Sequence, residues 1–231
     1  MIRKRTKRAT RGASKAGLPE STQSLTAIEL PKPKLHRSRS VVKALQQRKT
    51  IREISEKKLS LQVISNLLWA AQGVNRKTGP FGIPSRTAAS ASNSQEIDLY
   101  VALQEATYLY DAFLHRLLPV LAGDLRRLAI GQGQAELIAH APVQLIYVVD
   151  VDRLIHTSGY QEPGLQDPEI QKSYYFVDTG LIAGNVYLFA ASEGLASWFH
   201  NCNKPALSAK LPLRPDQRVL FGQTVGYPAK N

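Results

Sequence analysis

Apolar and polar positions recur with two different periods along the chain, and the changes of period mark its elements. Val41, Val42 and Leu45 set against Lys43, Gln46 and Gln47 predict a short amphipathic helix that ends near Arg48-Lys49-Thr50. A stronger helix follows, with Leu61, Ile64, Leu67, Leu68 and Ala71 in one stripe, Ser60 as N-cap and Gly73 as a left-handed stop. Ile97 to Leu103 alternates as a half-buried strand does, and Tyr108 to Tyr110 and Leu114 to Leu121 read as the next strands, turning near Asp111. Val143 to Val149 is almost wholly apolar and rich in β-branched residues, the pattern of a central strand covered on both faces. Leu181 to Ala191 is apolar nearly all round, which suits a helix in the core or at a subunit interface, and Val219 to Val225 is a late strand. Helices and strands mix without regular alternation or internal repeat. The class expected is α+β, with helices around one mixed or antiparallel sheet.

The polar segments divide the chain. Residues 1–28 lack apolar periodicity and read as a disordered basic arm, leaving 29–231 as the folded domain. Leu30-Pro31-Lys32-Pro33-Lys34-Leu35 is an extended connector after which regular structure is expected to begin, because each proline pushes its predecessor out of the helical region. Arg76 to Ser94 is a Gly-, Pro-, Ser- and Thr-rich loop, long enough to suggest a function.

Charge follows the same division. The chain of 231 residues has a formal net charge of +12, and residues 1–49 hold 14 Lys and Arg against only Glu20 and Glu29, so the remainder is neutral. The basic excess belongs to an arm, either a solubilising tail or a segment attracted to polyanions, and gives no support to nucleic-acid binding by the folded part. Cys202 is the single cysteine, which excludes an internal disulfide, a zinc knuckle and an iron–sulfur cluster. No export signal is visible, and Leu181 to Phe199 is broken by Asn185, Ser192 and Glu193, so a soluble, cytoplasmic protein is expected.

Most chemical motifs fail on inspection. Gly131-Gln132-Gly133 lacks the third glycine of a dinucleotide fingerprint and follows Asp124 to Ala129, which looks helical, so it reads as a turn. Phosphate-loop and nucleophile-elbow patterns are missing, and His36, His115, His140, His156 and His200 show no metal-binding spacing. Cys202 beside His200 has no third orienting group and reads as a packed thiol.

Three pieces remain. Arg48-Lys49-Thr50-Ile51-Arg52 places cationic and hydroxyl donors at a helix end, suited to a phosphate or a cofactor carbonyl, although alone it is an ordinary charged turn. Ser90-Ala91-Ser92-Asn93-Ser94-Gln95 offers small hydrogen-bonding residues where a loop enters a strand. In Glu193 to Phe199 a buried helix stops at glycine and a strand bearing Trp198 and Phe199 begins; such aromatics are more often core than cofactor shelf.

Together and in this order, with Leu67 to Gly73, Asp178-Thr179-Gly180, Asn185 and Gly226-Tyr227-Pro228, these pieces resemble the nitroreductase family of flavin mononucleotide (FMN) enzymes. The branch is the one that also contains the thiazole- and oxazole-forming dehydrogenases, and the resemblance runs from Leu30 to Pro228. It implies a nitroreductase-like fold and an interlocked homodimer with FMN at the interface. Arg48, Lys49, Thr50 and Arg52 would hold the flavin phosphate, ribityl chain and pyrimidine edge, and Ser90, Ala91, Ser92, Asn93 and Gln95 of the partner subunit the opposite wall. Phe199 and His200 would lie beside the reactive ring, with Gln134 and Lys230 near the phosphate or the substrate mouth. The implied reaction is ping-pong hydride transfer from NADH or NADPH through flavin N5 to a nitroaromatic, quinone or similar acceptor, with no side-chain acid or base strictly required. Lys172 and Tyr174 are not in register with the Lys-Tyr pair of the azoline-oxidising relatives. The alternative on the same fold is a non-catalytic flavin-binding or basic-armed interaction protein.

Overall fold

A computed structural model of the protein describes residues 25–34, 40–131, 133–134, 138–158 and 163–229. Most of the basic arm, His36, Gln132 and Lys230 lie outside the described residues. The elements in chain order are β1 (Ile28–Glu29), α1 (Val41–Gln47), α2 (Leu61–Gln72), β2 (Val74–Arg76), β3 (Ser85–Arg86), β4 (Ile97–Ala102), β5 (Ala106–Asp111) and β6 (Arg116–Ala122). After them come β7 (Val143–Asp150), α3 (Val151–Ile155), α4 (Pro168–Glu193), β8 (Ala196–His200), α5 (Lys204–Lys210) and β9 (Gln217–Gly226).

Seven strands form one antiparallel sheet in the order β1-β6-β5-β4-β7-β9-β8. All eight residues of β7 are buried, as a strand clothed on both faces requires. Its alternation sorts the two faces. Leu145, Tyr147 and Val149, with Leu99 and Val101 of β4, pack under Leu67, Leu68, Ile182 and Val186 of α2 and α4. Ile146 and Val148, with Tyr100 and Ala102, pack instead against Leu125, Ala129, Cys202, Leu207 and Leu211. Burial there pushes the Cys202 thiol up to about 11, so it is a protonated core group.

The helix ends follow local chemistry. Ser60 Oγ accepts the Val63 N–H at 3.3 Å and opens α2. Gly73 ends it in an extended conformation (φ −68°), contrary to the left-handed stop expected. What Gly73 supplies is space, because a Cβ there would lie 2.5 Å from Trp69 Cδ1. The left-handed stop occurs at Gly194 (φ 70°), which ends α4. Asp167 and Pro168 open that 26-residue helix, which is more than twice the span its apolar run marked.

Three other expectations change. Regular structure starts before the proline connector, since β1 pairs with β6 and Leu25 and Ile28 pack on the main core. The long loop carries the β2–β3 hairpin and two short 3-10 turns. Asp124 to Ala129 forms turns instead of a helix, because Asp124 Oδ1 accepts the Arg126 N–H at 3.0 Å and Arg126 reaches the His140 and Ala141 carbonyls.

The connector is pinned from below. Ser65 Oγ donates to the Pro31 carbonyl, and His115 spans Ser65 Oγ (2.8 Å from Nε2) and the Tyr110 hydroxyl (2.9 Å from Nδ1). Burial lowers the His115 pKa, which suits a neutral ring in that bridge.

The sheet leaves no room for a side chain at Gly222, where a Cβ would lie 2.2 Å from the Ala129 carbonyl oxygen. Backbone cannot yield as a flexible side chain can. Gly222→Ala is expected to destabilise the fold by about 1–3 kcal/mol through overpacking, read as a lower urea midpoint at unchanged m-value.

Candidate active site

The Arg48 to Arg52 segment leaves α1 and runs along the sheet edge, where the Ile51 N–H donates to the Ser197 carbonyl of β8 at 3.1 Å. Tyr187 of α4 joins the first and third pieces. Its hydroxyl oxygen accepts the Phe199 N–H at 2.8 Å and lies 3.2 Å from Thr50 Oγ1, so one phenol fastens both. Arg48 sits over the Tyr187 ring at 5.7 Å and Arg52 over Trp198 at 5.1 Å, cation–π contacts that orient both head groups. Lys49 lines a cleft of about 400 Å³ with Gln46, Ile51, Gly194 and Leu195. Among the described residues no carboxylate pairs with Arg48, Lys49 or Arg52, and all three are exposed.

The last residues of β8 point to opposite sides. Phe199 packs on Phe221 (4.9 Å) and Tyr147 (5.8 Å) and remains partly open. His200 is buried, with Nδ1 2.9 Å from the Asn201 carbonyl and Nε2 2.7 Å from Thr224 Oγ1, and burial lowers its pKa. Its backbone is at the edge while its ring belongs to the interior. Gln134 joins this end, since its Oε1 and the Asn201 carbonyl oxygen both fall within 4 Å of a Cβ built at Gly131. That Oε1 is buried and has no hydrogen-bond partner among the described residues.

The Ser90 to Gln95 piece is held elsewhere. The Ala91 N–H donates to Asp178 Oδ2 at 2.9 Å, the Gln95 N–H to Ser90 Oγ at 3.0 Å, and Arg153 to the Gln95 carbonyl at 2.9 Å. Ser92, Asn93 and Gln95 have φ of 47°, 57° and 53°, so three non-glycine residues occupy the left-handed region. Asn93 and Gln95 face a cavity of about 640 Å³ with Arg86, Asp98, Asp150 and Arg153. Asp178 precedes Tyr187 by nine residues on α4, a separation of about 13 Å along the helix axis. Within one chain, therefore, the first and third pieces come together and the second is fastened to a different stretch of the same helix.

Tyr187, Asp178 and Glu96 are the organising side chains that sequence patterning missed as site residues. Tyr187 is the one hydroxyl within the apolar run Leu181 to Ala191 of α4, where the other polar side chain is Asn185.

A sequence model of the Nitroreductase family matches residues 45–227. A Methanocaldococcus jannaschii protein that bears the name nitroreductase is 29% identical over 157 residues, 65% of this chain and 72% of its own length. A crystal structure from Ralstonia eutropha JMP134, also named a nitroreductase, superposes with a TM-score of 0.78 at 32% identity, covering 92% of this chain and 94% of that one. A chain of the E. coli microcin synthetase McbBCD complex shares the fold with a TM-score of 0.62 at 18% identity, covering 77% and 68%. The match over both the Arg48 to Arg52 turn and the β8 edge places this chain in the nitroreductase family of oxidoreductases.

Proposed function

We propose that the protein is an FMN-dependent oxidoreductase that moves hydride from NADH or NADPH to a nitroaromatic, quinone or similar small acceptor. The observation that carries this reading is the group of exposed cations, Arg48, Lys49 and Arg52, fastened beside Thr50 to α4 and β8 through Tyr187. The donor set fits FMN. Guanidinium forks and a hydroxyl suit a phosphate and a ribityl chain, and the orphaned Gln134 Oε1 is a buried acceptor awaiting a donor. Bound FMN would supply the hydride relay, with donor and acceptor using one pocket in turn, the ping-pong order.

The protein's share is binding and electrostatics. Arg48 and Thr50 hold the anionic and hydroxyl-bearing parts of the cofactor, while Lys49 and Arg52 stabilise negative charge on its pyrimidine edge. Phe199 presents a half-open aromatic face at the same edge and excludes water from it. Lys230, outside the described residues, is assigned to the phosphate side.

A homodimer completes the site. Phe176, Val177 and Leu181 on the outer side of α4, and Val41, Val42 and Leu45 on α1, are 41–67% exposed in the single chain, an apolar surface that a second copy would cover. The partner subunit's Ser90 to Gln95 loop then forms the opposite wall, which accounts for its separation from Tyr187 within one chain. No described helix is long and apolar enough to cross a membrane. A cytoplasmic location, and a basic arm over residues 1–28 that contacts polyanions, belong to the same proposal.

Two measurements test this reading. The purified protein is expected to be yellow, to release near-stoichiometric FMN on denaturation and to oxidise NADH or NADPH in the presence of a nitroaromatic; a protein that stays colourless after reconstitution contradicts it. Arg48→Ala removes a charge-assisted contact worth about 1.5–3 kcal/mol, so FMN should bind about 10- to 100-fold more weakly by fluorescence titration, and unchanged affinity would remove Arg48 from the site. Tyr187→Phe deletes the hydroxyl shared by Thr50 and the Phe199 N–H. It should lower apoprotein stability by about 1–3 kcal/mol in urea unfolding.

A further inference from the structure

Glu96 enters β4 with its side chain fully buried. Its Oε2 accepts from Ser94 Oγ at 2.6 Å, while Oε1 is buried without a donor. The ionisable group that faces it is Asp178 on α4, itself 5% exposed; the two carboxyl groups meet across one small gap, where the charge of Asp178 raises the Glu96 carboxyl. Two ionised carboxylates cannot sustain that contact, because each brings only lone pairs and like charge. With one proton between them the contact becomes a donor–acceptor pair.

Among the described residues no cation is ion-paired with either carboxyl. Arg86 of β3 lines the same small gap, together with Gln72 of α2; its Nη1 donates to Gln72 Oε1 at 3.1 Å, its guanidinium sits 5.6 Å over the Phe113 ring, and its Nε is buried without a partner. Arg153 of α3 meets the loop at the Gln95 carbonyl and is ion-paired with Asp98 and Asp150. Tyr175, one turn earlier on α4, is buried and carries no ion pair among the described residues.

The pair is attached to the strained loop at both of its ends. Asp178 holds the Ala91 N–H, Glu96 holds the Ser94 hydroxyl, and between them lie Ser92 and Asn93, both in the left-handed region. Such residues are strained and persist only where neighbours over-determine them.

We propose that Glu96 and Asp178 share a single proton, and that this proton positions the 90–95 loop by allowing one carboxyl to hold Ala91 and the other to hold Ser94 without repulsion. Both are positioning residues, acting through the loop. That the loop is a flavin wall rests on the proposed function, whereas the shared proton does not. Burial, and then the charge of Asp178, move the Glu96 carboxyl from its ordinary 4.5 to about 8, and burial raises Asp178 as well. A carboxyl whose pKa is raised in the closed loop and ordinary in the open one stabilises closure fully below the ordinary value. That contribution is lost as pH rises from 4.5 to about 8 and is level above it.

The experiment uses flavin-free full-length protein, so its outcome is independent of cofactor binding. Infrared spectra with ¹³C-labelled glutamate should show a protonated, isotope-shifted carboxylic acid at pH 7 that disappears in Glu96→Gln. By hydrogen exchange, the protection factor of the Ala91 amide should fall about tenfold per pH unit between pH 5 and 8 and then level off. In Glu96→Gln, whose amide can donate to Asp178 without titrating, protection should persist and be flat over that range. Asp178→Asn keeps an acceptor for Ala91 and should return the Glu96 titration toward its ordinary value, which serves if the glutamine variant fails to fold. Absence of a protonated glutamate at pH 7, or an Ala91 pH response that is the same in both variants as in the parent, overturns the proposal. In the reconstituted protein the FMN dissociation constant should rise over the same pH window. A flat FMN profile with the infrared and exchange results intact would sink the flavin-wall assignment and leave the shared proton standing.

Discussion

The packing of α4 across the sheet is the constraint on which the rest depends. Ile182, Ala183, Val186 and Ala190 press one side of the helix into the core beneath Leu145, Tyr147 and Val149. That contact fixes the rotation of the helix about its axis, and therefore where its few polar side chains emerge. Tyr187 emerges toward the β8 edge and Asp178 toward the loop that enters β4. One rigid element thus sets the position of both candidate walls, and a shift of the helix would move them together.

A polar seam inside the sheet keeps β8 in place beside this helix. The Tyr147 hydroxyl donates to Gln223 Oε1, and Gln223 Nε2 reaches Ser197 Oγ at 3.0 Å and the Ala183 carbonyl at 3.4 Å. All of these groups are buried and each has a partner, so the seam specifies register where apolar contacts alone would tolerate slippage. Strand β8 is an edge strand of five residues, and its hold on Gln223 explains how an edge can carry aromatic site residues with a defined orientation.

Elements whose pattern is set by burial were legible in the sequence. The stripe of α2 and the continuous apolar run of β7 follow from which faces meet the core and appear where periodicity put them, whereas β4, expected to be half-buried, is covered on both faces and leaves only Asp98 partly open. Elements set by local polar competition were not. Asp124 to Ala129 has helical composition, yet the Asp124 side chain captures the Arg126 N–H and the segment turns. Gly73 and Gly194 look equivalent as helix stops, but one serves by its missing Cβ and the other by its positive φ, a distinction that depends on Trp69 and not on the glycine itself. The site was legible as three pieces. Their grouping into two plus one was not, because it depends on which turn of α4 each piece meets.

The proposed cofactor site has one orphaned atom and a group of unpaired cations near it. Gln134 Oε1 lacks a donor beside the β8 edge, and Arg48, Lys49 and Arg52 lack a counter-charge on the same side. The buried acceptor costs free energy while it lacks a donor, whereas the three cations are exposed and solvated. Under the proposed function, a phosphate-bearing ligand with a hydrogen-bond donor would engage both. On the α1 side, the exposed Val41, Val42 and Leu45 lie on the helix that leads directly into Arg48 to Arg52, so a second copy covering that face would approach the proposed cofactor groups. Closure of the dimer would bury the cofactor's charges further from water and strengthen the cationic contacts through the lower local dielectric. Cofactor binding and association are then expected to be coupled, each raising the affinity of the other.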